Sequence, residues 1–254
     1  MSYDDLAVSD DGPIGRITLD RPPANVMSEG TIGELIEAFA ALDTDERKAI
    51  VVDGGEAGMF SGGVEVEDHL GDALPGMIEL FGELFATMRD LGTVTIASVD
   101  GAALGGGCEL VAGCDMAVAS TESRFGQPEI NLGTFPPIAT VLFPAIMGEK
   151  RAFELVMTGE DVDAEAAERI GLVNEVVPPE ELESATTELA ESVAAKSGLV
   201  LGMARQAFYD VADQPTYEAA VEAANQHTID ITSTEDGQEG LRAFMEDREP
   251  EWQY

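Results

Sequence analysis

Apolar residues recur along the chain with two periods, one typical of strands and one typical of helices. Alternating residues on both sides of the turn 10–13 predict a β-hairpin. Short, wholly apolar runs elsewhere predict buried strands. The predicted strands are Leu6–Ser9, Ile14–Leu19, 49–52, Val94–Val99, Met116–Ser120 and 173–177.

Helical periodicity alternates with these strands and then dominates the last quarter of the chain. Ser28 is a suitable N-cap for a helix that ends near Leu42. Further helices are predicted at 77–91, 106–112, 153–159, 164–171, 180–195, 199–212, Tyr217–Thr232 and 238–246. Strands that alternate with helices predict a mixed α/β fold.

A run of glycines follows the strand Val94–Val99 and comes just before an acid. Gly105, Gly106 and Gly107 permit a tight turn into a short helix, and Glu109 lies in its first turn. Free backbone N–H groups at a helix N-terminus can bind a negatively charged oxygen. These residues therefore predict an oxyanion site with an acid/base carboxylate beside it.

A second carboxylate, Glu129, follows the next predicted strand in the segment 126–129. Two neighbouring acids suit a reaction in which one is ionised while the other carries a proton, because burial and like charge separate their pKa values. For both residues the alternative is a solvated helix position.

The charge is strongly negative. The sequence has 13 Lys and Arg against 50 Asp and Glu, which gives a net charge of −37, and the acids are spread along the chain. Such a surface suits a cytoplasm at molar salt, because the screening length there falls to about 3 Å and the acids repel one another less. We therefore expect the protein to come from a salt-loving archaeon. The alternative is an acidic protein from a mesophile. Nucleic acid is not an expected partner, because phosphate binding needs clustered Lys and Arg.

The remaining composition predicts a cytoplasmic protein without a bound metal. Cys108 and Cys114 lack metal or redox spacing and are expected to pack in the interior. The first residues do not resemble a signal peptide, and no apolar run approaches the roughly 20 residues of a membrane span.

The motifs around the two glutamates resemble those of the crotonase superfamily, the enoyl-CoA hydratases and isomerases. The resemblance rests on Gly-Gly-Gly-Cys-Glu-Leu at 105–110, Phe-Gly-Gln-Pro-Glu-Ile at 125–130 and Phe-Ser-Gly-Gly-Val-Glu at 60–65. It implies a ββα spiral core over 1–196, which holds the active site, and a helical region over 197–254 that drives assembly into a trimer or a dimer of trimers.

The resemblance also implies roles for individual residues. Glu109 and Glu129 would be catalytic, and the amides of Gly62 and Gly106 would form the oxyanion hole. Substrate contacts are implied for Ala24, Ser61, Gly63, Val64, Gly105, Pro128, Gly133, Phe135 and Arg248.

Some positions depart from the family pattern. Pro23 and Asp247 stand where basic residues of the family often contact CoA. Arg248 either replaces these missing contacts with the CoA phosphates or is a surface residue. Thr134–Ala139 replaces a glycine-rich segment and, with Asp68 and His69, resembles cyclohexa-1,5-diene-1-carbonyl-CoA hydratases. His69 is either an acid/base group or a solvated or pocket-lining residue.

The implied reaction is reversible addition of water to a double bond conjugated with a CoA thioester. Coenzyme A would be part of the substrate, and no separate cofactor is expected. The alternatives are an isomerase that uses a single glutamate, and a non-catalytic CoA-binding or RNA-binding relative.

Overall fold

The β-strands are short and apolar, and six of them join one sheet whose two central strands are buried at every position. A computed structural model describes residues 3–10 and 12–253. The strands are β1 Leu6–Ser9, β2 Ile14–Leu19, β3 Ala49–Asp53, β4 Val94–Val99, β5 Ala102–Leu104, β6 Met116–Ser120, β7 Arg124–Gly126, β8 Val162–Asp163 and β9 Glu175–Val177.

The main sheet has the order β1-β2-β3-β4-β6-β9. β1 and β2 are antiparallel, as the predicted hairpin requires, and the other neighbours are parallel. The predicted turn 10–13 includes Asp11, which lies outside the described residues.

Helices cover this sheet and extend beyond it. They are α1 Glu29–Leu42, α2 Leu74–Asp90, α3 Gly106–Gly113, α4 Ala139–Met147, α5 Glu149–Thr158, α6 Ala164–Ile170, α7 Leu182–Ala194, α8 Gly198–Ala212, α9 Tyr217–Thr232 and α10 Glu235–Glu246. Ser28 caps α1 as predicted, because its hydroxyl accepts from the amide of Thr31. The mixed α/β fold is therefore confirmed, with the helical C-terminal region in place.

A second, small sheet was not predicted, and it positions the site. It has the order β5-β7-β8, with β5 and β7 parallel. β5 is followed by α3, and β7 is followed by a 3₁₀ helix, Pro128–Leu132. The amide of Gly105 donates to the carbonyl of Gly126 at 2.9 Å, so the two exits lie side by side.

The helix α8 is attached to the core by a buried arginine. Arg205 donates from Nε to Asp115 Oδ2 at 2.8 Å and from its terminal nitrogens to carbonyls at the end of α2. The division of the chain at 196 and 197 stays a prediction.

Two further sequence expectations concern the cysteines and the membrane. Cys108 and Cys114 are free thiols within the fold. In the described part of the chain no helix has both the length and the apolar character needed to cross a membrane.

Candidate active site

Glu109 is a buried acid that is held at one of its oxygens. Gly105 adopts a φ of 52° before α3, a conformation that suits glycine, and the next turn carries Glu109. Glu109 Oε1 accepts the amides of Ile138 at 2.8 Å and Ala139 at 2.7 Å, at the start of α4. Burial raises the pKa of Glu109 to about 8, the two amides oppose this shift, and the charge of Glu129 adds to it.

Glu129 lies in the 3₁₀ helix after β7 and reaches back to the glycine turn. A Cβ placed on Gly105 would lie 2.6 Å from Glu129 Oε1, so the carboxylate packs directly on that residue. With its amide oriented so that the nitrogen faces the acid, buried Gln127 donates to Glu129 at 3.1 and 3.3 Å. Burial raises the pKa of Glu129, and the nearby charge of His69 opposes the shift.

The two acids share one electrostatic environment. Burial raises the pKa of the Cys108 thiol on α3, and the charges of both carboxylates raise it further. The structure thus brings together Glu109, Glu129, Gly105 and Gly106, as the sequence predicted.

The predicted oxyanion donor Gly62 does not have a free amide. Its N–H donates to the carbonyl of Ala24 at 2.8 Å. A backbone amide that is already paired cannot also hold a substrate oxygen without breaking that bond. The assignment of Gly62 is therefore corrected: the amide of this residue joins two loops.

Two residues further along this loop, the amide of Val64 has no acceptor among the described residues. In the parts of the chain that the structure covers, neither the Val64 amide nor the Gly106 amide donates a hydrogen bond to a protein acceptor. A Cβ on Gly106 would lie 2.8 Å from Val64 Cγ2, so the two residues are neighbours. Sequence reasoning missed this donor, because the motif at 60–65 does not show which of its amides is paired.

Two other residues of this loop, Ser61 and Gly63, were predicted to contact substrate, and both take part in hydrogen bonds that hold the loop together. Buried Ser61 donates from Oγ to the carbonyl of Asn25 at 2.7 Å, and the amide of Gly63 donates back to Ser61 Oγ at 3.2 Å. Gly63 has a φ of 100°, and a Cβ there would be 3.4 Å from the Gly106 amide nitrogen. Their contacts with substrate stay predictions.

The predicted contacts on either side of Glu129 lie in the same 3₁₀ helix or just after it. Pro128 opens the 3₁₀ helix, and Gly133 ends it with a φ of 80°. Phe135 follows and is 56% exposed, so its side chain is free to contact another molecule.

Arg248 follows α10 and forms ion pairs with two acids of that helix. Its guanidinium donates to Glu239 at 2.6 and 3.0 Å and to Glu246 at 2.8 Å. Hydrogen bonds from Arg248 lower the pKa of Glu239 to about 2. A contact with CoA would have to break these pairs, and it stays a prediction.

The chain matches known proteins over almost its whole length. Residues 10–254 match the family model described as enoyl-CoA hydratase/isomerase. The chain is similar to a probable mitochondrial enoyl-CoA hydratase of Dictyostelium discoideum, with 35% identity over 95% of this chain and 88% of the relative. It is 34% identical to a probable enoyl-CoA hydratase of Rhizobium meliloti, with both chains covered completely.

A solved structure has the same fold. The crystal structure of an enoyl-CoA hydratase from Mycobacterium smegmatis superposes with a TM-score of 0.93 at 30% identity, over 99% of this chain and 100% of the other. The chain therefore belongs to the enoyl-CoA hydratase/isomerase family of the crotonase superfamily, and it is an enzyme of the enoyl-CoA hydratase type.

Proposed function

We propose that the protein adds water reversibly across a double bond conjugated with an acyl-CoA thioester. The observation that carries this proposal is a buried and a half-buried acid beside two backbone amides that have no acceptor among the described residues. The acids are Glu109 and Glu129, and the amides belong to Val64 and Gly106.

The two amides would bind the thioester oxygen. Donors aimed at an oxygen that becomes negative stabilise an enolate-like transition state, and the loss of one typically costs about 10²–10³ in rate. Val64 replaces Gly62 in this role, because its N–H has no acceptor within the described residues.

The two glutamates would divide the proton transfers. Glu109, with Oε1 fixed by the amides at the start of α4, would take a proton from water through Oε2. Water then adds to the carbon β to the thioester. Glu129, whose pKa is raised by burial, would deliver a proton to the α carbon.

Two more specific proposals concern the acyl group of the substrate and the kind of organism that makes the protein. The exposed Phe135 and the segment 134–139 support an acyl site of unusual shape, and a cyclic dienoyl-CoA is the substrate we propose to test first. The net charge of −37 supports a salt-rich cytoplasm, as in a salt-loving archaeon. No cofactor besides the CoA carried by the substrate is needed for these steps.

Self-association is part of the proposal. The C-terminal helices expose large apolar side chains, a composition that favours burial against other copies. They include Phe208 at 77%, Met245 at 80% and Phe244 at 87% exposed. We propose a homotrimer or a dimer of trimers.

The test measures the loss of conjugated absorbance of crotonyl-CoA, and of a cyclic dienoyl-CoA, in molar KCl. Glu129→Gln and Glu109→Gln should each lower the hydration rate by about 10²–10⁴. The matched control is Glu122→Gln, because Glu122 is an exposed acid in the turn between β6 and β7. Hydration by Glu129→Gln at the parent rate would contradict the proposal.

The same variants separate hydration from isomerisation. A single-acid isomerase would convert 3-enoyl-CoA to 2-enoyl-CoA without hydrating it, and it would keep that activity after loss of one of the two acids. A non-catalytic protein would bind CoA and change neither substrate.

A further inference from the structure

The direction of the Val64 amide is set by a short segment that lies beside its loop. Met27 and Val64 form an isolated parallel bridge. The amide of Met27 donates to the carbonyl of Gly63 at 2.7 Å, and the amide of Glu65 donates to the carbonyl of Met27 at 2.9 Å. In such a bridge the residue between the two bonded positions turns its own amide the other way. The amide of Val64 therefore points away from Met27 and is available to another molecule.

The same loop is also attached to β5, the strand that precedes the second donor, Gly106. The amide of Ser61 donates to the carbonyl of Ala102 at 3.1 Å, and the amide of Leu104 donates to the carbonyl of Ser61 at 2.9 Å. Leu104 is only two residues before Gly106. The distance between the two donor amides therefore depends on how firmly the loop is held between β5 and the segment 24–27.

One buried side chain fastens the segment 24–27 to this loop. Asn25 is 1% exposed and has a φ of 47°, a left-handed conformation that asparagine tolerates better than most residues. Its Nδ2 donates to the carbonyls of Gly54 at 2.7 Å and Phe60 at 3.1 Å. Its main-chain carbonyl accepts from Ser61 Oγ at 2.7 Å. Asn25 thus binds the loop just before the Val64 amide and lies two residues before Met27.

The orientation of the Asn25 amide group follows from its partners. Because carbonyls only accept, Nδ2 must face Gly54 and Phe60, and Oδ1 accepts the amide of Arg21 at 3.0 Å. The backbone amide of Asn25 donates to the carbonyl of Arg21 at 2.8 Å. Each polar group of this residue is therefore paired inside the protein, and its burial keeps it from the substrate.

We propose that Asn25 is a positioning residue of the hydration reaction. It fixes the loop that carries the Val64 amide and so sets the place of this donor relative to Gly106. Misplacement of a group by about 1 Å can cost about 10² in rate, because donors act only when they are aimed at the oxygen that becomes negative. Asn25 acts through Val64 and touches no reacting atom. This inference rests on the proposed function.

The first measurement compares two variants of Asn25 with the parent in molar KCl. Asn25→Asp keeps the size of the side chain and the acceptor Oδ1, but it puts an oxygen where Nδ2 donates. Asn25→Gly adopts the positive φ without strain and removes the side chain. Both should lower kcat for crotonyl-CoA by about 100-fold with little change in KM.

The matched control is Asp43→Asn. The Asp43 side chain also joins two segments, since its Oδ1 accepts the amides of Gly92 at 3.0 Å and Thr93 at 2.9 Å. These residues precede β4, whereas the glycine turn of the site comes after that strand. Asp43→Asn should lower the free energy of unfolding and keep the parent kcat.

A second measurement reports on the donors themselves. Butyryl-CoA has no double bond to hydrate, and a ¹³C label at its thioester carbonyl identifies the C=O stretching band in infrared difference spectra. Hydrogen bonds to the oxygen weaken the C=O bond, so the band should lie at a lower frequency in the complex with the parent than in free butyryl-CoA. Asp43→Asn should keep this shift, and both Asn25 variants should move the band back towards the frequency of the free ligand.

The possible results separate positioning from stability. A parental kcat and band in Asn25→Gly would overturn the inference, and so would a lower stability with an unchanged band. If neither Asn25 variant folds in the presence of butyryl-CoA, the residue serves stability alone and the inference is wrong. A parent protein that neither hydrates crotonyl-CoA nor shifts the carbonyl band would instead contradict the proposed function.

Discussion

At the scale of single residues, the important chemical difference lies between two amides of one loop. Gly62 and Val64 are two positions apart, yet the first N–H is paired with the carbonyl of Ala24 and the second has no acceptor in the described chain. The sequence correctly predicted the segment but selected the wrong residue, because hydrogen-bond pairing is a property of the folded backbone. In contrast, the position of Glu109 and Glu129 beside the glycine turn could be predicted, since their motifs are specific.

The difference between these amides can be measured directly. Replacement of Val64 by its α-hydroxy analogue, 2-hydroxy-3-methylbutanoic acid, exchanges the N–H for an ester oxygen. We expect the hydration rate with crotonyl-CoA to fall by about 10²–10³, because one oxyanion donor is removed.

The matched control is the same exchange at Gly62 with glycolic acid. It removes the bond to Ala24 and should lower the unfolding free energy by about 1 kcal/mol, with little effect on the rate. The opposite pattern, a large rate loss at Gly62 and none at Val64, would restore the original assignment.

At the scale of elements, the small sheet β5-β7-β8 explains why residues distant in sequence meet. Its strands have only two or three residues each, too few for an alternating pattern to be recognised, so the sequence did not predict them. The helix α4 was also missed, and its first amides bind Glu109. The apolar strands of the main sheet and the helices with regular periodicity were predicted within a few residues.

The attachment of α8 to the core gives a prediction at this scale. Arg205→Met leaves Asp115 without its ion-pair partner and two carbonyls of the α2 end without a donor. Because Arg205 is only 6% exposed, we expect a loss of about 3–5 kcal/mol in the free energy of unfolding by urea.

Arg242→Met is the control for this change. The Arg242 side chain is 57% exposed and lies 3.9 Å from Glu239, so its loss should cost at most about 1 kcal/mol. Equal unfolding free energies for the two variants would show that the Arg205 network does not stabilise the attachment of α8.

At the scale of the whole molecule, charge dominates. A net charge of −37 repels itself at low ionic strength, and many of the 13 basic side chains are paired with the protein's own acids. The substrate is also anionic through its CoA phosphates. Screening should therefore favour both the folded state and substrate binding.

We expect the thermal unfolding midpoint to rise as KCl increases from about 0.1 M to about 2 M. The Michaelis constant for crotonyl-CoA should fall over the same range, opposite to the usual weakening of anion binding by salt. Sucrose of equal osmolarity is the control, because it favours compact states without screening charge. A midpoint that does not change with KCl would contradict this view of the surface.

The fixed oxygen of Glu109 has a stereochemical consequence. Oε1 is bound to the amides of Ile138 and Ala139, which fixes the orientation of the carboxylate. We therefore expect Oε2 to reach a flat enoyl group from one side only. Hydration of a prochiral enoyl thioester should therefore give one enantiomer of the alcohol.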